Sequence, residues 1–104
     1  YMKIEDGLFE GMTPVKLKGK CADGAEYSYQ AFSVSEVLGS VTADSLVEFV
    51  SGGGRDTLVS GEEILAGDVY LAQDGETYRL VIPKDTHRRR WCKHITEIES
   101  EQGG

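Results

Sequence analysis

Residues 67–83, GDVYLAQDGETYRLVIP, decide the fold class of this chain. Two short apolar runs, at 69–72 and 77–82, flank Asp74-Gly75, and Asp-Gly is a dipeptide typical of tight hairpin turns. Pro83 lacks a backbone N–H group and therefore ends the second run, because a central strand needs that donor. The segment predicts two antiparallel strands joined by a tight turn.

Short strands separated by glycine-containing turns are predicted on both sides of this hairpin. Lysines alternate with apolar or small residues over 15–21, a period that predicts a half-buried strand with a lysine-lined outer face. Ser33 and Ser60 are each followed three residues later by Glu, which predicts a capping box at the start of two short helices. The remaining strands are predicted at 26–32, 46–50, 55–59 and 91–98.

These elements predict a single β-rich α+β domain over residues 1–99, followed by a disordered polar tail at 100–104. A chain of 104 residues has the length of one typical domain and can bury a core without a metal or a disulfide. The sequence leaves open whether the two cysteines, Cys21 and Cys92, are free thiols or form a single disulfide bridge. The predicted core consists of Val37, Leu38, Phe49, Leu71, Leu80, Ile82 and Trp91.

The net charge of −7 argues against a general nucleic-acid-binding role, which needs a basic surface. No apolar run approaches the roughly 18 residues of a membrane span, so direct membrane insertion is not expected. The chain begins with Tyr1 rather than Met. If an upstream signal or anchor was removed, we expect an extracytoplasmic location; the sequence leaves the compartment, the substrate and the oligomeric state open.

One stretch of the sequence is basic, although the chain as a whole is acidic. If this stretch were extended as a strand, alternate side chains would share a face, which would place Arg88, Arg90, Cys92 and His94 on one side. Arginine suits bidentate recognition of phosphate and carboxylate groups, so this stretch predicts a site for a small anion. The alternative is a solvated cluster that Glu97 and Glu99 neutralise. The basic residues of the stretch are Lys84, His87, Arg88, Arg89, Arg90, Lys93 and His94.

Five segments, in this order, resemble the molybdopterin-binding domain of sulfite-oxidase-type oxidoreductases. They are YQAFSVSEVL at 29–38, LVEFV at 46–50, SGEEILAGDVYLA at 60–72, YRLVIP at 78–83 and RWCKHI at 90–95. The resemblance covers residues 29–99 and implies a β-rich α+β fold with a β-grasp-like motif. It also implies a molybdopterin cofactor whose molybdenum is bound by one cysteine thiolate.

The resemblance implies roles for five residues. Cys21 is the counterpart of the catalytic cysteine that binds molybdenum, and thiolate is a suitable soft ligand. Arg79, Arg88, Arg90 and Lys93 are the implied cofactor-binding residues. The alternatives are that Cys21 is a small buried residue on the inner face of its strand, and that Arg79 is exposed or ion-paired.

Two family features are missing from this chain. The loop at 73–76 is a plain tight turn without the family's His, and Cys21 is followed by Ala22 rather than by the family's Asn-Arg pair. We therefore expect a stand-alone relative without independent catalysis that acts as a binding or interaction module, with no cofactor in the isolated chain. A small anion or a pterin is the candidate ligand, and a redox protein is the candidate partner.

Two other functions remain as alternatives. The first is a genuine molybdopterin-dependent oxidoreductase domain that an upstream segment or a partner chain completes. The second is a ubiquitin-like β-grasp adaptor, which the terminal Gly103-Gly104 would suit.

Overall fold

The computed structural model describes residues 2–101, with the side chain of Asp6 left aside. These residues contain a short 3-10 helix at Asp6–Phe9 and two α-helices, α1 (Val34–Leu38) and α2 (Gly61–Leu65). None of the helices in this range is long and apolar enough to cross a bilayer. The strands are β1 (Met2–Lys3), β2 (Val15–Lys20), β3 (Glu26–Ser33), β4 (Leu46–Ser51), β5 (Thr57–Ser60), β6 (Tyr70–Asp74), β7 (Thr77–Val81) and β8 (Ile95–Glu101).

The strands form two antiparallel sheets of four strands each. The first sheet has the order β1-β8-β4-β5 and the second has the order β2-β3-β6-β7. With 43% of the described residues in strands and two short α-helices among them, the structure is a β-rich α+β domain, as the sequence predicts.

The hairpin that the sequence places at 67–83 is formed by β6 and β7. Asp74 pairs with Thr77, so the two-residue turn is Gly75-Glu76, one position later than the Asp74-Gly75 turn of the sequence analysis. Gly75 has a φ angle of +66°, which a residue without a Cβ atom adopts at little cost. Glycine at the first turn position is the preference of a type II′ hairpin turn, whose twist matches that of the strands.

The buried side chains of the two sheets form a single apolar cluster. Phe49 of the first sheet and Leu71 and Leu80 of the second are fully buried, and Trp91 is 6% exposed. The core prediction is therefore confirmed for these residues and for Ile82, whereas Val37 and Leu38 are half-buried and pack against the edge of the cluster.

One of the two predicted helix caps is present. The Ser60 hydroxyl accepts a hydrogen bond from the Glu63 N–H group at 3.3 Å, as in the first half of a capping box. The prediction at Ser33 is wrong, because no side-chain cap forms there. Ser33 is still the last residue of β3, and its hydroxyl lies 2.9 Å from that of Ser35 instead.

The last strand differs from the prediction at both ends. Residues 91–94 are not in a strand, because successive turns direct the chain between β7 and β8 and Arg88 adopts a φ of +57°. The predicted common strand face of Arg88, Arg90, Cys92 and His94 is therefore wrong. Ser100 and Glu101, assigned by sequence to the tail, continue β8, and residues 102–104 of that tail lie outside the described range.

Substitution of Gly61 by Ala should destabilise the fold. A Cβ atom at Gly61 would overlap the backbone carbonyl oxygen of Thr42 and come within 3.1 Å of the Ser45 Cβ, so the backbone would have to shift. We expect a loss of about 2–3 kcal/mol in the free energy of unfolding, measured by urea denaturation.

Gly7→Ala is the matched control, because a Cβ atom at Gly7 meets nothing within 4 Å. This variant should change the free energy of unfolding by no more than about 0.5 kcal/mol. Equal effects of the two substitutions would contradict the close packing at Gly61.

Candidate functional site

Cys21 lies in a tight turn directly after β2. Its backbone N–H group donates to the carbonyl of Ala25 at 2.9 Å, and its own carbonyl accepts from Gly24 at 2.9 Å. The Cys21 side chain is only 6% exposed, and both cysteines are free thiols. Burial raises the pKa of the nearby Tyr27 phenol, and the negative charge of a Cys21 thiolate adds to that rise.

The turn at 21–25 meets the arginine-containing segment at 85–91, and we call these two segments together the cysteine corner. The Ala22 N–H group donates to the Thr86 carbonyl at 3.0 Å. An Arg88 guanidinium nitrogen lies 2.8 Å from a carboxylate oxygen of Asp23. The fold therefore brings the regions of two predicted site residues, Cys21 and Arg88, together although they are far apart in sequence.

Two arginines of the cysteine corner, Arg88 and Arg90, are paired with carboxylates of the same chain. Arg90 contacts Glu63 of α2 at 2.8 Å and Asp85 at 3.5 Å, and Asp85 also accepts from the Arg90 backbone N–H group. A hydrogen bond from the Ala25 N–H group and the charge of Arg88 hold the pKa of Asp23 below its usual value. Carboxylates of the same chain therefore already neutralise the positive charges of Arg88 and Arg90.

Arg79 and Lys93 make no hydrogen bond or ion pair with the cysteine corner within the described part of the chain. Arg79 forms an ion pair with Asp74 at 3.1 Å, across the β6–β7 hairpin. Lys93 is exposed, and its backbone carbonyl accepts a hydrogen bond from the Ser51 hydroxyl at 2.8 Å. Arg79 is therefore ion-paired, which is an arrangement that the sequence left open as an alternative to cofactor binding.

This geometry does not fit an anionic molybdopterin at the cysteine corner. The cofactor would have to displace Asp23, Asp85 and Glu63 from the arginines, and its metal would need access to a thiol that is nearly buried. Uncompensated carboxylates beside a phosphate would repel it. We therefore assign no chemical step to this group. The described residues also contain no cluster of three or more His, Cys, Asp or Glu side chains that could hold a metal ion.

The sequence alone does not reveal the carboxylates that pair with Arg88 and Arg90. Asp23 lies 65 residues from Arg88 and Glu63 lies 27 residues from Arg90, distances at which no local pattern connects them. Asp85 had a local signal, because Asp favours turns in which its carboxylate accepts a backbone N–H group, here that of Arg90.

A second feature lies on the outer surface of the first sheet, where two exposed leucines are surrounded by glutamates. Leu46 is 48% exposed and Leu58 is 59% exposed. Glu48 lies directly between Leu58 on β5 and Glu99 on β8, and Leu46 lies opposite Glu101. These side chains line one shallow depression, and we call them the glutamate face: Leu46, Glu48, Leu58, Glu99 and Glu101.

The carboxylates of the glutamate face are close enough to affect one another. Partial desolvation raises the pKa of Glu48, and the negative charges of Asp56, Glu99 and Glu101 raise it further. Glu48 and Glu99 are direct cross-strand neighbours, and like charges in such a pair destabilise a sheet. This face was not predicted from the sequence, because Glu101 falls in the segment predicted to be a disordered tail.

Compared with models of known protein families, with curated proteins and with solved structures, the chain shows no match.

The purified chain should contain no bound molybdenum after expression in a host that makes the cofactor. The reason is the internal pairing of Arg88 and Arg90 and the burial of Cys21. Elemental analysis of the protein measures this directly. A near-stoichiometric molybdenum content that a Cys21→Ala variant loses would show that the corner rearranges to accept the cofactor.

Glu48→Gln should stabilise the protein at neutral pH. Because the folded state raises the pKa of Glu48 above its ordinary value of 4.5, folding favours the protonated form. The contribution of this group to stability is therefore present below that value and is lost as the pH rises through the higher folded pKa. We expect the substitution to raise the melting temperature at pH 7 by on the order of 2 °C.

The gain should disappear in acid, where Glu48 is neutral in both states. Glu10→Gln is the control, because it makes the same change in net charge at an exposed position outside the glutamate face. A pH-independent gain, or an equal gain for Glu10→Gln, would contradict repulsion within the face.

Proposed function

We propose that this chain is a small stand-alone relative of the molybdopterin-binding domain that acts as an interaction module, without catalysis of its own. Its partner is a protein segment that combines positive charge with apolar surface, and the glutamate face binds it. The family relationship rests on the five sequence segments and their order. The β-rich fold with two short helices is compatible with it.

The observation that carries the proposal is the arrangement of Leu46 and Leu58 among glutamates on an exposed sheet surface. Two half-exposed leucines on neighbouring strands are apolar area that a partner can remove from water. The surrounding carboxylates repel one another, and a positive partner would relieve that repulsion. Both effects favour the same kind of partner, one with apolar and basic side chains together.

The cysteine corner is less suited than the glutamate face to bind a charged partner. Its Arg88 and Arg90 side chains are already paired with Asp23, Asp85 and Glu63, so a ligand that binds these arginines would have to break existing ion pairs. The charges of the glutamate face have the same sign, so an incoming cation replaces repulsion by attraction. Charge complementarity of this kind increases association rates and selects partners by sign.

A short peptide of alternating lysine and leucine tests the proposal. Added to the isotope-labelled protein, it should shift the amide resonances of β4, β5 and β8, and binding should weaken as salt rises. Leu58→Ser should reduce the affinity about tenfold, because a buried leucine contact contributes on the order of 1.5 kcal/mol.

Leu65→Ser is the matched control, because Leu65 is 53% exposed but lies on α2, outside the glutamate face. It should leave the affinity unchanged. A peptide in which glutamate replaces lysine should not bind. Absence of binding by the lysine peptide, or equal effects of the two leucine variants, would refute the proposed function.

A further inference from the structure

The outer surface of β2 carries three exposed lysines in a straight line. Lys16, Lys18 and Lys20 alternate along the strand, so their side chains share one face, and we call them the lysine row. Their direct neighbours on β3 are Gln30, Ser28 and Glu26. Within residues 2–101, none of the three lysines makes an ion pair.

β2 is an edge strand, because in the second sheet it pairs only with β3. Lysines on an edge strand discourage pairing between edges of like charge, and two lysine rows side by side would repel each other. The row is therefore unsuited to pair with a second lysine row. It remains available to a surface of opposite charge.

The glutamate face of the same chain is such a surface. Glu99 and Glu101 alternate on β8 as the lysines do on β2, so both rows repeat at about 6.6–6.8 Å. The lysine side chain has a further property that suits this surface. Its four methylene groups can cover apolar area while its ammonium group stays at the rim, which matches leucines among carboxylates.

We infer that the partner of the glutamate face is a second copy of this chain, docked through its lysine row. The ammonium groups of Lys16, Lys18 and Lys20 contact Glu48, Glu99 and Glu101 of the next molecule, and their stems cover Leu46 and Leu58. This inference rests on the proposed function of the glutamate face and names its partner.

The contact is head-to-tail, because each molecule uses one surface to dock and a different surface to receive. Heterologous contacts of this kind generate rings if they close and open chains if they do not. Each molecule carries a net charge of −7, which opposes assembly at long range. At physiological ionic strength charges beyond about 8 Å are largely screened, so the local pairing of the two surfaces dominates.

Analytical ultracentrifugation of the full chain tests the inference. At physiological ionic strength the average mass should rise with protein concentration above the 11.4 kDa of the monomer, and it should return to that value in high salt. Lys18→Gln should weaken assembly several-fold. Arg89→Gln removes one positive charge from an exposed position outside the lysine row and should leave assembly unchanged.

Two complementary variants test the head-to-tail geometry. The row variant, Lys16→Gln/Lys18→Gln/Lys20→Gln, keeps the glutamate face, and the face variant, Glu48→Gln/Glu99→Gln/Glu101→Gln, keeps the lysine row. Each alone should be monomeric. Their mixture should form a one-to-one complex that does not grow further, because only one productive contact remains. A wild-type chain that stays monomeric at every concentration, or a mixture that does not associate, would overturn the inference.

The row variant also separates this inference from the proposed function. Its glutamate face is intact, so it should still bind the lysine-leucine peptide. If the peptide binds while the wild-type chain stays monomeric, the second-copy inference is wrong and the interaction module stands. If the peptide does not bind, the proposed function itself is wrong.

Discussion

The indole of Trp91 holds the segment between β7 and β8 against the second sheet, and much of the structure depends on this contact. Its N–H group donates to the carbonyl of Ile82 at 3.0 Å, and its ring packs edge-on against Tyr27 with centroids 5.1 Å apart. One residue later, the Cys92 carbonyl accepts from the Leu80 N–H group at 2.9 Å. Removal of a buried aromatic ring of this size typically costs about 3–5 kcal/mol.

This anchor helps to position both the cysteine corner and the glutamate face. On its N-terminal side it holds the arginine segment beside the Cys21 turn, where Arg88 meets Asp23. On its C-terminal side the chain enters β8 at Ile95. There β8 pairs with β4 in the first sheet. Glu48 and Glu99 then become cross-strand neighbours. The ion pairs of the cysteine corner and the repulsion between carboxylates of the glutamate face thus both depend on the position of the segment between β7 and β8.

Local chemistry explains the parts of the fold that the sequence predicted well. Two short apolar runs and a glycine-containing turn define the β6–β7 hairpin within a few residues, although its turn lies one position later than the sequence predicts. Ser60 caps α2 because donor and acceptor are only three residues apart. Leu71, Leu80 and Phe49 belong to the core because each lies on the apolar side of its own strand.

The sequence by itself determined a β-rich α+β domain, its central hairpin and most of the tested core, because the hydrophobic period and turn chemistry act between near neighbours. Only the tertiary structure decided which charges meet. Asp23 reaches Arg88, Glu63 reaches Arg90, and Glu48 faces Glu99 across strands that are distant in sequence. Electrostatic interaction depends on distance in space rather than along the chain. Arg88 and Arg90 of the positive stretch are therefore paired with carboxylates in the fold, while an acidic surface that the sequence did not reveal lies exposed.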